Sequence, residues 1–295
     1  MKIFVTGASG WVGSAVVPDL LNAGHQVVGL ARSQKSADAL IAAGAEVHRG
    51  DLADLDSLRA GAKAADGVIH LAFQHDFDNF GEVGELDRAA ITALGETLAD
   101  SGRPLVVTSG TGGHAPGQLV TEDRAASPES PRLSEKAALA FIDRGVRVAI
   151  VRLAPSVHGI GDYGFVPRLI QVARDTGVAA YVGDGANRWS AVHRDDAAAL
   201  FRLAVESATS GAVLHGVAED AIATRDIAET IGRNLGLPVT GIPIENAMEH
   251  FGWIGAFFSL DIPASSALTR QGFGWQPTGI GLLEDMDRHY FATMS

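Results

Sequence analysis

The sequence of 295 residues predicts an α/β fold, a doubly wound parallel sheet with a smaller C-terminal lobe. Three observations carry that expectation. Short apolar runs alternate with helical patterns through the first half of the chain, as strand–helix–strand units do on a sheet buried on both faces. The first apolar run leads straight into Gly7, Gly10 and Gly13, three glycines spaced three apart, and a helical pattern follows at once. Beyond about residue 155 the alternation gives way to a region richer in Gly, Pro and aromatics.

Taken in order, the apolar runs predict strands at 2–6, 26–31, 45–48, 67–71, 104–108 and 147–152. Helical periodicity between them predicts helices at 11–23, 35–43, 54–62, 83–101 and 132–144, with Ala23-Gly24 and Arg144-Gly145 as stop signals. Residues 1–155 are therefore expected to form a Rossmann-type nucleotide domain and residues 156–295 mainly a substrate lobe. A helix near 194–207 and a strand near 211–217 are expected to return to the sheet. The chain shows neither a repeat nor a low-complexity tract.

The strand–glycine–helix opening has a chemical meaning. Gly7 allows the tight turn, Gly10 lets the backbone approach a pyrophosphate, and Gly13 lets the helix sit close on the sheet, with Ser9, Trp11 and Val12 in the same loop. Unpaired N–H groups and the partial positive charge at the helix start then receive phosphates. An acidic residue about twenty positions after the glycines would select NAD through its ribose hydroxyls, but Arg32 stands there. A guanidinium pairs with a 2′-phosphate, and Ser33 and Lys35 are at hand to assist, so NADP(H) is expected over NAD(H). Asp51 either accepts a hydrogen bond from the adenine amino group, with Leu52 beside the ring, or caps the helix at 54–62.

Composition narrows the classes. With 23 basic and 35 acidic residues the net charge is −12, which disfavours nucleic acid and anionic membranes as partners. The absence of cysteine excludes disulfides, thiolate nucleophiles and cysteine-held metals. No apolar run reaches bilayer-spanning length and no secretory leader is evident, so a cytoplasmic protein, a monomer or homodimer with a small-molecule substrate, is expected. Histidines at ligand spacing, Gly-x-Ser-x-Gly and the P-loop signature are all lacking, so no metal, hydrolase nucleophile or phosphotransferase site is expected.

Thr6–Gly13, Gly50-Asp51-Leu52, Val68–Ala72, Val106–Ser109, Val151–Gly159, Trp189–Asp196 and Leu268–Pro277 together resemble the extended short-chain dehydrogenases, the NAD-dependent epimerase/dehydratase group, over nearly the whole length. That resemblance implies a nicotinamide cofactor running past Leu71, Ala72, Phe73, Pro155 and Ser156. It would also imply a Tyr-x-x-x-Lys pair for proton transfer, yet none of Tyr163, Tyr181 and Tyr290 has lysine four residues later. Where the pair is expected the chain reads Ser130-Pro-Arg-Leu-Ser-Glu-Lys136, putting Pro131 or Arg132 at the tyrosine position and Glu135 or Lys136 at the lysine position. The chain thus resembles the atypical members, which keep the cofactor fold without that pair.

Replacement groups follow from position. Ser109 and Thr111, after the fifth strand, either polarise a substrate carbonyl or satisfy backbone groups at a turn. His114 shares their loop and titrates in the useful range. His75 follows the fourth strand, Gly159–Phe165 reads as a flexible loop able to carry Tyr163 over substrate, and Trp189 and His193 are expected to line or support the pocket. Asp195 and Asp196 read as helix caps. The expected function is an NADP-dependent oxidoreductase acting on a carbonyl, imine or activated alkene, with Ser109, Thr111 or Tyr163 in the chemistry and Arg132 and Lys136 dispensable. Alternatives are an NmrA-like redox sensor without turnover, or an epimerase or dehydratase.

Overall fold

In the computed structural model, which describes residues 1–74, 79–112, 116–127 and 132–291, the first unit is β1 (Lys2–Thr6), α1 (Gly13–Asn22) and β2 (Gln26–Ala31). Then follow α2 (Gln34–Ala42), β3 (Glu46–Arg49), α3 (Leu55–Lys63), β4 (Gly67–His70), α4 (Phe80–Leu98) and β5 (Pro104–Gly110). Next come α5 (Ser134–Leu139), β6 (Arg147–Leu153), β7 (Ser156–His158), α6 (Phe165–Thr176), β8 (Ala179–Val182) and β9 (Arg188–His193). α7 (Arg194–Ser207), β10 (Ala212–Gly216), β11 (Glu219–Ala223), α8 (Thr224–Leu235) and β12 (Val239–Ile242) follow, before short helices complete the chain.

Seven strands form one parallel sheet in the order β10-β6-β5-β4-β1-β2-β3. Ile3 and Val5 enter one apolar cluster, with Val16, Leu20 and Phe201 of α1 and α7. Phe4 between them enters the opposite cluster, with Leu58, Ile91 and Leu94 of α3 and α4. Both faces are covered, so period-two alternation is lost and the strands read as continuous apolar runs. Each such side chain contributes about 1.5–3 kcal/mol by leaving water. Because every strand points the same way, the loops after β1, β2, β4, β5 and β6 share one rim, and the order reverses between β1 and β4, where α/β sheets open a crevice.

β10 extends the sheet beside β6, and α7 packs on α1. The chain leaves the sheet at Ala154-Pro155. β7 then pairs with β9 in a three-stranded sheet, and β8 with β12 in a separate ribbon. A further apolar cluster, built on Val166, Leu169, Trp189, Ile227, Phe251 and Phe258, lies beneath these small sheets.

Several elements differ from their expected bounds. The helix expected at 132–144 is only Ser134–Leu139, followed by a 3₁₀ turn at Ile142–Arg144, and the whole stops at Gly145 with φ 69°. α4 ends at Leu98, not 101, because Asp100 adopts φ 57° and its N–H reaches the Arg144 carbonyl at 2.8 Å. The cap of α3 is Asp54, whose carboxylate accepts from Ser57 N at 3.1 Å.

Candidate active site

The three glycines do different things. Gly7 has φ 66°, and a Cβ there would lie 2.6 Å from the Ala72 nitrogen, so the turn out of β1 passes against the chain leaving β4. At Gly13 a Cβ would stand 2.1 Å from the Gly7 carbonyl oxygen, which is how closely α1 seats on that turn. Gly10 donates its N–H to Gly7 O at 2.9 Å, and a Cβ there would meet only that oxygen, at 3.1 Å. The open side of Gly10 borders a cavity of about 660 Å³ lined by Gly7, Ser9, Gly10, Leu30, Arg32, Ser36, Gly50, Asp51, Leu52, Ala72, Phe73, Gln74 and Tyr163.

At the outer end stand Arg32, Ser36, Asp51 and Leu52. Ser33 caps α2, its Oγ accepting from Ser36 N at 3.1 Å and donating to Ser36 Oγ at 3.0 Å, so it reaches this group through Ser36. Arg49, which no glycine motif marks, donates to the Ser33 carbonyl at 2.9 Å and to the Gln34 amide oxygen, bracing the loop that presents Arg32. Asp51, relieved of capping, accepts from Ala53 N at 3.0 Å within its own turn.

Trp11 joins the cradle to the second half of the chain. Its indole N–H donates to Val157 O at 2.7 Å, the Arg194 guanidinium lies 4.2 Å over its ring, and Tyr163 meets it edge-on at 5.7 Å. Tyr163, 71% exposed, therefore stands with the glycine cradle in the lining of the cavity. Its loop is tied down: Tyr290 donates its hydroxyl to Asp162 at 2.8 Å and accepts from Gly159 N at 3.2 Å. Burial raises the pKa of both Asp162 and Tyr290 above their ordinary values. Beside them, buried Asp285 accepts from His158 at 2.8 Å and His289 at 2.7 Å. Burial alone would raise its carboxyl, but these two hydrogen bonds hold it below its ordinary value.

A buried polar chain runs along the inner end of the cavity. Ala72 N donates to Thr6 Oγ1 at 3.3 Å, and Thr6 Oγ1 pairs with His70 Nδ1 at 2.8 Å. His70 Nε2 meets Asp87 at 3.0 Å, and the Ser134 hydroxyl donates to the other Asp87 oxygen at 2.6 Å. Arg132 closes the chain, donating from Nε to Ser134 Oγ and from Nη2 to Thr108 O, each at 3.2 Å. Its guanidinium lies 4.4 Å over the Phe73 ring, and burial lowers its pKa despite the nearby charges of Asp87 and Glu135. Glu135 is held by Arg152 through two bonds of 2.8 and 2.9 Å, while Lys136 points to solvent.

Ser109 and Thr111 are buried at the end of β5. Among the described residues, Thr111 Oγ1 and Ser156 Oγ have no hydrogen-bond partner. Leu71 and Pro155 are half-buried, Leu71 donating its N–H to Thr6 O at 3.2 Å, and Val12 precedes α1 with its carbonyl accepting from Val16 N. Trp189 is fully buried within the second core, its indole N–H donating to Phe257 O at 3.3 Å, and is not in the lining of the glycine-cradle cavity. His193, not Asp195 or Asp196, caps α7, accepting from Asp195 N at 3.3 Å. Asp196 instead accepts from Thr278 N and Gly279 N, each at 2.9 Å, fixing the closing segment. His75 and His114 lie outside the described residues. Among those described, no His, Asp and Glu group is arranged to hold a metal, and no helix is long and apolar enough to cross a membrane.

The missed members of the cavity are Leu30, Ser36 and Gly50. Gly50 carries a readable reason, since a Cβ there would strike Ser57 Oγ at 1.8 Å. Ser36 carries none in the motif, because the turn that brings it beside Arg32 is set by the Ser33 cap.

Comparison with known proteins shows the chain's family. An uncharacterized protein of Schizosaccharomyces pombe is 50% identical over 97% of this chain and 98% of its own length. Another, of Saccharomyces cerevisiae, is 47% identical over 98% of this chain and 99% of its own. A 2-alkyl-3-oxoalkanoate reductase of Stenotrophomonas maltophilia is 32% identical over 74% of this chain and 69% of its own. Among solved structures, the Thermus thermophilus UDP-glucose 4-epimerase in complex with NAD superposes with a TM-score of 0.75 at 20% identity over all of both chains, a likeness of fold. The profile of the NAD dependent epimerase/dehydratase family matches residues 3–215, and the chain belongs to that family.

Proposed function

We propose that the protein is an oxidoreductase that transfers hydride between NADP(H) and the carbonyl carbon of a small substrate. The observation that carries this reading is the cavity itself, with the glycine cradle, Arg32, Ser36 and Phe73 in its lining; after β5 and at the start of β7, the Thr111 and Ser156 hydroxyls are buried without partners among the described residues. An unsatisfied buried hydroxyl costs about 1–3 kcal/mol, and a bound polar group removes that cost. The residues fit a dinucleotide: Gly10 leaves open the volume that a Cβ would begin to fill, and Arg32 supplies a cation where NAD-selective sites keep a carboxylate.

In this reading the nicotinamide supplies the hydride. Backbone N–H groups of the Ser9–Gly13 loop receive the pyrophosphate, Arg32 and Ser36 hold the 2′-phosphate, and Asp51 and Leu52 take the adenine. Trp11 and Tyr163 cover the middle of the dinucleotide and limit water. Ser109 and Thr111 hydrogen-bond the substrate oxygen as charge develops on it; neither is an acid near neutral pH, so the proton arrives through water. The 2-alkyl-3-oxoalkanoate reductase supports a keto group as the acceptor.

The test is to titrate NADPH and NADH separately and then follow NADPH oxidation over a panel of ketones, imines and enones. Tighter binding of NADPH with turnover of at least one class is expected. Tight binding without turnover of any would favour a sensor. Substrate isomerisation without net cofactor oxidation would favour an epimerase, the activity of the UDP-glucose 4-epimerase of similar fold.

A further inference from the structure

We infer that Arg132 binds a carboxylate of the substrate, so that the substrate is an oxo acid and not a neutral ketone; this rests on the oxidoreductase reading. A guanidinium carries five N–H donors in a rigid fork. Nε is committed to Ser134 Oγ and one Nη2 hydrogen to Thr108 O. Both Nη1 hydrogens and the second Nη2 hydrogen have no protein acceptor among the described residues. The free donors share the Nη1–Nη2 edge, whose spacing matches the two oxygens of one carboxylate.

The surrounding acids do not fill that edge. Asp87 is taken by His70 and Ser134, and Glu135 by Arg152. Among the described residues no carboxylate stands within ion-pair distance of Arg132. Arg132 is half-buried, and its free edge offers a ligand a cation that no carboxylate of the described residues neutralises. The location agrees. The guanidinium lies on Phe73, a wall of the nucleotide cavity, and Nη1 would be 3.9 Å from a Cβ at Gly110, between Ser109 and Thr111. Arginine stays protonated throughout the working range, so the group anchors and does not donate the proton.

The test pairs an acid with its neutral isostere. Oxamate and oxamide are titrated calorimetrically into the NADP-loaded protein, and initial rates are compared for 2-oxo and 3-oxo acids and their methyl esters. The wild type is expected to favour oxamate and the acids by at least tenfold. Arg132→Gln is expected to abolish the preference, a loss of tenfold or more, with the NADP dissociation constant unaltered. Arg132→Lys, which keeps the charge without the fork, should recover part of it, and it serves alone if the glutamine variant does not fold. Equal affinity for acid and amide in the wild type overturns the assignment, as does an equal loss for both ligands in either variant. A carboxylate preference without turnover of any substrate would leave the assignment standing and contradict the oxidoreductase reading.

Discussion

Gly10 and Gly13 offer a way to separate binding from folding within one turn of chain. At position 13 a Cβ would lie 2.1 Å from Gly7 O and 2.8 Å from the Ala8 carbonyl carbon, both backbone atoms that cannot step aside without unseating α1. Gly13→Ala is therefore expected to cost about 3 kcal/mol or more of stability, the upper end for overpacked sites. At position 10 the same atom meets only Gly7 O, at 3.1 Å, a strain relieved by a few tenths of an ångström and worth about 1 kcal/mol. The branches of Gly10→Val project into the cavity, where they displace the pyrophosphate. Losing two charge-assisted hydrogen bonds at about 1.5 kcal/mol each weakens cofactor binding on the order of a hundredfold. Urea unfolding and fluorescence titration with NADPH on both variants check the pair. An unchanged dissociation constant in Gly10→Val, or wild-type stability in Gly13→Ala, would refute the assignment of the cradle.

Arg32→Asp should reverse or abolish the preference for NADPH over NADH, by about tenfold or more from the lost charge-assisted contact; equal affinities in the wild type would make Arg32 a surface residue. Ser109→Ala should lower kcat about tenfold or more while Lys136→Ala, at a solvated position, leaves turnover intact; steady-state kinetics on both variants decide, and a large loss in Lys136→Ala would revive the usual pair. Asp285→Asn should destabilise the protein at neutral pH by about 2 kcal/mol. Because the wild-type carboxyl titrates below its ordinary value, its stabilisation is present above about pH 4 and lost as pH falls through the lowered pKa, so the melting-temperature gap should close on acidification. A gap independent of pH would show that the effect is one of shape.

The sheet was legible because strands buried on both faces must be continuously apolar: β1, β2 and β10 lie within a residue of their expected bounds. The cradle was legible for a similar reason, since turn, approach and helix seating each require a missing Cβ. Helix ends were less so. The stop of α4 depends on Asp100 reaching Arg144, a contact 44 residues away in sequence that no local pattern announces. The inner site was the hardest to read. Arg132 looked dispensable beside a missing tyrosine, and its place over Phe73 comes from a chain of hydrogen bonds through His70, Asp87 and Ser134, three separate segments. Trp189 illustrates the converse, an aromatic in a family-like motif whose ring belongs to the second core.

The central claim, hydride transfer from NADPH to a substrate carbonyl, is tested most directly by isotope. NADPH carrying deuterium at the transferring C4 position is incubated with the wild-type protein and an oxo acid, and the product is analysed by mass spectrometry. One deuterium on the former carbonyl carbon, in step with NADPH consumed, is the predicted result. Unchanged NADPH with no labelled product from any oxo acid, ketone, imine or enone, under conditions where the cofactor is bound, would contradict it.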